Sequence, residues 1–152
     1  MIKTILFAIC FFVPFCIGFL IKDSITKRRQ QLNLVIDIVR VFETEIKYNS
    51  LPVNEILNII KVDKRFDAFE FDEQKKPQTS NLYLKKQELS AMFEFFESIG
   101  KTDVDGQLKL CEYTKRKFHS FIDESAENDK KTAQISVNLG AFLGALIIII
   151  LI

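Results

Sequence analysis

Leu32-Asn33-Leu34-Val35-Ile36-Asp37-Ile38-Val39-Arg40-Val41-Phe42-Glu43-Thr44-Glu45-Ile46 decides the fold. Leu32, Ile36, Val39, Phe42 and Ile46 recur at spacings of three and four, the repeat of one helix face. Arg40, Glu43 and Lys47 fall on the opposite side. No two-residue alternation competes with this stripe, so the sequence predicts a helix from Ile25 to Tyr48. Asn49-Ser50-Leu51-Pro52 breaks it, and Pro52 suits the first turn of a following helix. Val53, Ile56, Leu57 and Ile60 form a second, shorter stripe. Phe66 and Phe69 mark a third short helix. Asp72 to Ser80, with Pro77 and several polar residues, reads as an exposed loop. Lys85 to Ile99 is a further helix, with Leu89, Met92, Phe93, Phe96 and Ile99 as its apolar face.

Gly100 closes that helix in a left-handed conformation. Thr102-Asp103-Val104-Asp105 then opens the next one, with Thr102 as the capping oxygen and acids in the first turn. Gly106 falls inside that turn, where alanine should be tolerated better than a side chain at Gly100. The last helix carries Val104, Leu108, Cys111, Phe118 and Ile122. No proline follows Pro77, so it can run on with little interruption, Asn128-Asp129 being the weakest point. Nine phenylalanines lie between residues 22 and 131, and their stripes read as core rather than as a binding surface. Five helices around one core make an all-α, antiparallel helical bundle.

Beyond the bundle the composition changes abruptly. Residues 4–21 and 132–152, 18 and 21 residues long, carry no charge, while all 20 acidic residues and 20 of the 21 basic ones lie at 22–131. About 20 apolar residues cross a bilayer as a helix. The expected organisation is a transmembrane helix at 4–21, a helical-bundle domain at 22–131 and a transmembrane helix at 132–152. Pro14 removes a backbone donor and should kink the first span. Ile17-Gly18-Phe19-Leu20 shows no small-x-small cleavage pattern, and bulky Ile9 and Phe15 precede Cys10 and Cys16, so a retained anchor is expected rather than a signal peptide or lipoprotein. Lys22, Lys27, Arg28 and Arg29 follow the first span and Lys130 and Lys131 precede the second, with Lys3 alone on the other side. The positive-inside rule puts the central domain in the cytoplasm, with these basic residues near anionic lipid. In the closing span Ser136, Gly140 and Gly144, four apart, form a small-residue face for helix packing against the first span, another membrane subunit or another copy, which would make a homo-oligomer.

Several functions are excluded. Charge balance argues against nucleic acid, since phosphate contact needs a basic excess. Cys10, Cys16 and Cys111 form no CxxC pair, and His119 is the single histidine. No metal site, cofactor, phosphate-cradling loop or nucleophile–base pair is expected, and hence no enzyme. A membrane-tethered helical adaptor or sensor fits the same layout as well as a structural platform does.

Two stretches of the central domain carry a resemblance, and the closing segment adds a third. Glu43-Thr44-Glu45-Ile46-Lys47-Tyr48, leading into Leu51-Pro52-Val53-Asn54-Glu55-Ile56-Leu57, resembles the first helical hairpin of the stage III sporulation protein AB family. Ile99-Gly100-Lys101-Thr102-Asp103-Val104-Asp105-Gly106-Gln107 is similar to that family's G-x-x-D-x-x-x-Q junction. Leu139-Gly140-Ala141-Phe142-Leu143-Gly144 with its Ile/Leu run resembles the closing span. The stretch from Arg65 to Tyr83 departs from the family's pattern. The resemblance implies a type II secretion F-like cytoplasmic domain, although Lys101 stands where that wider group has glutamate after the first glycine. It also implies a place in the mother-cell membrane facing the forespore. By resemblance, the protein would be a platform component of a transenvelope channel, with a secretion-type ATPase and other membrane channel subunits as partners. The positions carried over are Glu43, Glu45, Asp103 and Gln107 for partner contact, and Pro52 and Gly100 for turn geometry.

Overall fold

The computed structural model describes residues 2–71, 77–78 and 82–151, with side chains described at 20–71, 77–78, 82–126, 131, 135, 138 and 142. The elements are α1 (Ile2–Thr44), a π-helical turn (Glu45–Asn49), α2 (Val53–Val62), a 3-10 turn (Lys64–Phe66), α3 (Lys86–Ser98) and α4 (Val104–Leu151). Both long helices are continuous: α1 runs through Pro14 and α4 through Asn128-Asp129. Phe66 and Phe69 are buried as expected, yet only one 3-10 turn forms there. The third helix is thus replaced by a short turn that delivers two rings to the core.

Two compact units divide the chain, residues 28–123 and the pair of segments 1–27 and 124–152. In the second of these, Lys27 pairs with Asp23 at 2.7 Å and the Thr26 hydroxyl donates to the Lys22 carbonyl at 2.9 Å. The expected spans at 4–21 and 132–152 lie almost wholly on residues whose side chains are outside the described ones, and so do Ser136, Gly140 and Gly144. Among the described residues, no helix is long and apolar enough to cross a membrane.

The unit at 28–123 is an up–down–up–down bundle, and its pairings give the directions. Arg28 on α1 meets Glu88 near the start of α3, and Phe42 further along α1 meets Phe95 near its end, so these two helices run parallel. Glu43 on α1 meets Lys115, and Glu94 on α3 meets Lys117, so α4 runs antiparallel to both. Short turns at 45–52 and 99–103 reverse the chain from α1 to α2 and from α3 to α4, while the longer stretch 63–85 joins α2 to α3. With only 10 residues, α2 is too short to line the whole core. Phe66, Phe69 and Leu84 on the long connection fill the remainder. That connection is pinched where Phe71 and Pro77 form an antiparallel bridge and Gln78 donates its N–H to the Glu70 carbonyl at 2.7 Å. Pro77 is buried rather than exposed; the rest of the expected loop, 72–76 and 79–80, lies outside the described residues.

Leu32, Ile36, Val39, Phe42 and Ile46 are all buried, joined by Val35 and Ile38. Phe42, Phe95 and Phe118 are the largest fully buried side chains. The ring of Phe42 stands edge-on to Phe95 at 5.4 Å and to Phe96 at 6.2 Å, the geometry that aromatic quadrupoles favour. The face of α3 differs from expectation. Glu88, Ala91, Met92 and Phe95 are buried, while Leu89, Phe93 and Phe96 are only partly so. The apolar-stripe rule failed because one residue of the inward face is charged.

That charge is paired. Arg28 Nε donates to Glu88 Oε2 at 3.2 Å and the Arg28 Nη2 group meets Oε1. Glu88 Oε2 also accepts the Lys85 N–H at 2.7 Å, and Gln31 Oε1 accepts the Tyr83 N–H at 2.6 Å. Arg28 is 8 % exposed, so it belongs to the core and departs from the basic set expected near lipid. Lys22, Lys27 and Arg29 remain exposed.

Candidate functional site: a groove between two turns

The chain leaves α1 through a π-helical turn. Ser50 ends it in the left-handed region (φ 52°), its N–H bonded to the Glu45 carbonyl. Pro52 follows with φ −68° and ψ 149° and stands just before α2 rather than in its first turn. Its carbonyl accepts the N–H groups of Glu55 at 2.9 Å and Ile56 at 3.3 Å. A π-helical turn holds one more residue per turn than an α-helix, which redirects the chain beyond it. Here it swings Ser50, Leu51 and Pro52 toward the far junction, between α3 and α4.

That junction is built as expected in outline and differs in one atom. Gly100 has φ +84°, the left-handed cap. Lys101 then donates its N–H to the Ser98 carbonyl at 3.2 Å. The cap of α4 is Asp103, not Thr102: Asp103 Oδ1 accepts the Gly106 N–H at 3.0 Å. A carboxylate also complements the positive end of the helix better than a hydroxyl does. Gln107 reaches back, its Nε2 donating to the Thr102 carbonyl at 3.0 Å.

The two turns face each other across an open groove of about 520 Å³. Ser50, Leu51, Pro52 and Val53 form one wall, and Phe96, Ile99, Gly100, Val104 and Gln107 the other. Contact at its base is close. A Cβ on Gly100 would stand 2.8 Å from Val53 Cγ2, so this position needs glycine for both its φ and its space. Of the residues singled out by the sequence, Pro52, Gly100 and Gln107 meet here. Asp103 caps the helix beside them. Glu43 lies elsewhere, paired with Lys115 between α1 and α4, and Glu45 accepts the Asn49 side-chain N–H at 2.5 Å within the π-turn. Both glutamates are therefore engaged inside the domain. Sequence reasoning missed Ser50, Val53 and Val104 as groove residues; the signal was their position flanking the two predicted breaks.

Gly106 lies in the first turn of α4 as expected, but its surroundings are tight. A Cβ there would lie 2.8 Å from Asp103 Oδ1 and Thr102 Oγ1 and 2.9 Å from Thr102 Cβ. Alanine normally gains about 1 kcal/mol over glycine in a helix. Here it displaces a cap worth about 0.5–2 kcal/mol, so Gly106→Ala should lower the melting temperature. In a Thr102→Ala, Asp103→Ala background, which relieves both contacts, the same change should be neutral or stabilising. Thermal unfolding of the four proteins checks this, and additive effects would show that the cap and the glycine do not interact.

The site offers shape rather than reactive chemistry. Cys111 is fully buried, and burial, with Glu43 adding to it, pushes its thiol up to about 12. It stays neutral and unreactive at physiological pH. Among the described residues no cluster of His, Cys, Asp or Glu could hold a metal ion.

A family model described as stage III sporulation protein AB matches residues 3–71 and 68–152. The two matched segments meet at 68–71, within the stretch that departs from the family's pattern. No curated protein and no solved structure matches the chain.

Proposed function

Because the chain belongs to the stage III sporulation protein AB family, which ties it to stage III of sporulation, we propose that it is a non-enzymatic membrane platform component of a secretion-like channel between mother cell and forespore. In this reading the bundle lies in the cytoplasm, resembles the type II secretion F domain and docks a secretion-type ATPase. The closing helix packs against channel subunits through Ser136, Gly140 and Gly144. One observation carries the reading. The two stretches that resemble the family, 43–57 and 99–107, come together as the walls of one groove. Loops meeting at a groove on a rigid scaffold are where binding surfaces concentrate. The apolar side chains of Leu20, Ile135 and Phe142, 66 %, 57 % and 74 % exposed, stand on the helix arms in or beside the uncharged segments and suit a lipid or subunit environment better than water.

Co-purification from sporulating cells tests this. The full chain should recover a secretion-type ATPase. Val104→Glu, on a side chain already 50 % exposed and in the first turn of α4 where an acid is favoured, should lower that recovery without lowering the melting temperature. Unchanged recovery would move the docking surface away from the groove. Failure of the unsubstituted chain to recover any such ATPase would favour the tethered adaptor or sensor.

A further inference from the structure

Helix α3 has two apolar faces. One holds Ala91, Met92 and Phe95, continued by Ile99 just past the helix end, and is buried; the other holds Leu89, Phe93 and Phe96, with Met92 shared. At about 100° per residue the two faces are offset by roughly 80°. By apolar content alone the second is the richer, with two phenylalanines and a leucine against one phenylalanine and an alanine. The helix nevertheless turns Glu88 inward, and Glu88 is 2 % exposed. Side chains fill either face well enough to satisfy a hydrophobic core, which tolerates repacking at similar volume before it loses stability.

We propose that the buried Arg28–Glu88 pair sets the rotation of α3, and through it the α3 wall of the groove. The geometry is that of a latch. Arg28 approaches through two nitrogens, Nε at 3.2 Å from Oε2 and Nη2 on Oε1, and a two-point contact fixes direction as well as distance. The same Oε2 holds the Lys85 N–H at 2.7 Å, which fixes where α3 begins. One turn further along α1, Gln31 holds the Tyr83 N–H at 2.6 Å. Rotation by the offset between the faces carries Glu88 out of the core, breaks the Arg28 contact and leaves the Arg28 charge buried without its partner, whereas the observed setting satisfies both charges. At the other end of the helix Phe96, Ile99 and Gly100 line the groove. A turn of α3 therefore moves Phe96 inward and removes it from the groove wall. Burying an ion pair adds little net stability over an apolar pair; its effect here is to select one packing from two. The inference rests on the packing of the bundle and not on the identity of any partner.

Ala91 reports the setting, being buried in the observed rotation and on the outward side in the other. The full chain in detergent, with Cys10→Ala and Cys16→Ala and with buried Cys111 kept as an internal reference, would carry Ala91→Cys or, as an exposed control, Ser90→Cys. With the latch intact, maleimide should modify position 91 more slowly than position 90 by about tenfold or more, because a buried thiol reacts only through local opening. In the Arg28→Met, Glu88→Met double variant, position 91 should speed up to within about threefold of position 90, while helix content and the cooperative melt are kept. Continued protection of position 91 in a folded double variant would overturn the proposal, showing that packing alone sets the helix. Loss of the cooperative melt would also overturn it, since the pair would then hold the fold itself rather than choose between two packings.

Discussion

Phe42→Ala is expected to destabilise the bundle by about 3–5 kcal/mol, the range for deleting a fully buried aromatic side chain. Phe42 is 0 % exposed and stands edge-on to both Phe95 and Phe96. Its loss removes apolar burial and two aromatic pairs together, and both partner rings are held on a neighbouring helix, so the space cannot close easily. Domains of this size are stable by about 5–15 kcal/mol in total. At about 4–8 °C per kcal/mol for a 60–100-residue domain, the melting temperature should fall by at least about 12 °C. Thermal unfolding followed by circular dichroism measures it. A fall of only a few degrees would mean that the centre of the core lies elsewhere, around Phe118.

Gly100→Val is the second large effect. A side chain at φ +84° costs about 1–2 kcal/mol through the clash of Cβ with the backbone. The added atoms also meet Val53 Cγ2 at 2.8 Å, and overpacking costs typically about 1–3 kcal/mol more. The two causes separate experimentally. With Gly100→Ala, a Val53→Ala change should restore the contact part and leave the backbone part, so the double variant should be more stable than the sum of the singles predicts. Strict additivity in a double-mutant cycle would mean that Val53 yields freely and the cost is all backbone.

What could be read from the sequence was what depends on local periodicity and local turns. The face of α1 from Leu32 to Ile46, the break before Pro52 and the left-handed Gly100 each declare themselves within a few residues. The reversals from α1 to α2 and from α3 to α4 follow from turns too short to allow anything else, whereas the longer stretch 63–85 leaves the direction of α3 to packing. The groove was legible only in part. Pro52, Gly100 and Gln107 were marked by turn chemistry, but nothing local says that two turns about 50 residues apart share a space, as Val53 and Gly100 do. The inward face of α3 was misread because Glu88 is buried by a partner 60 residues away. Glu43 looked free for the same reason, its partner Lys115 standing 72 residues on. The cap shifted from Thr102 to Asp103 because both side chains can cap and the choice depends on which backbone N–H lies in reach.

Those long separations also bear on how the protein is made. The buried stripe of α1 is synthesised early, yet part of its cover, Cys111, Phe118 and Ile122 on α4, is made last. The Glu43–Lys115 pair spans 72 residues, and at 5–20 residues per second the ribosome needs about 4–14 s to bridge that distance. Through that interval Leu32, Val39 and Phe42 stand without their final neighbours. The residues that complete the core lie on the same helix that continues into the uncharged closing segment. Completion of the core must therefore wait until most of the chain has been made, and a chaperone that shields helical apolar faces during those seconds would act on α1.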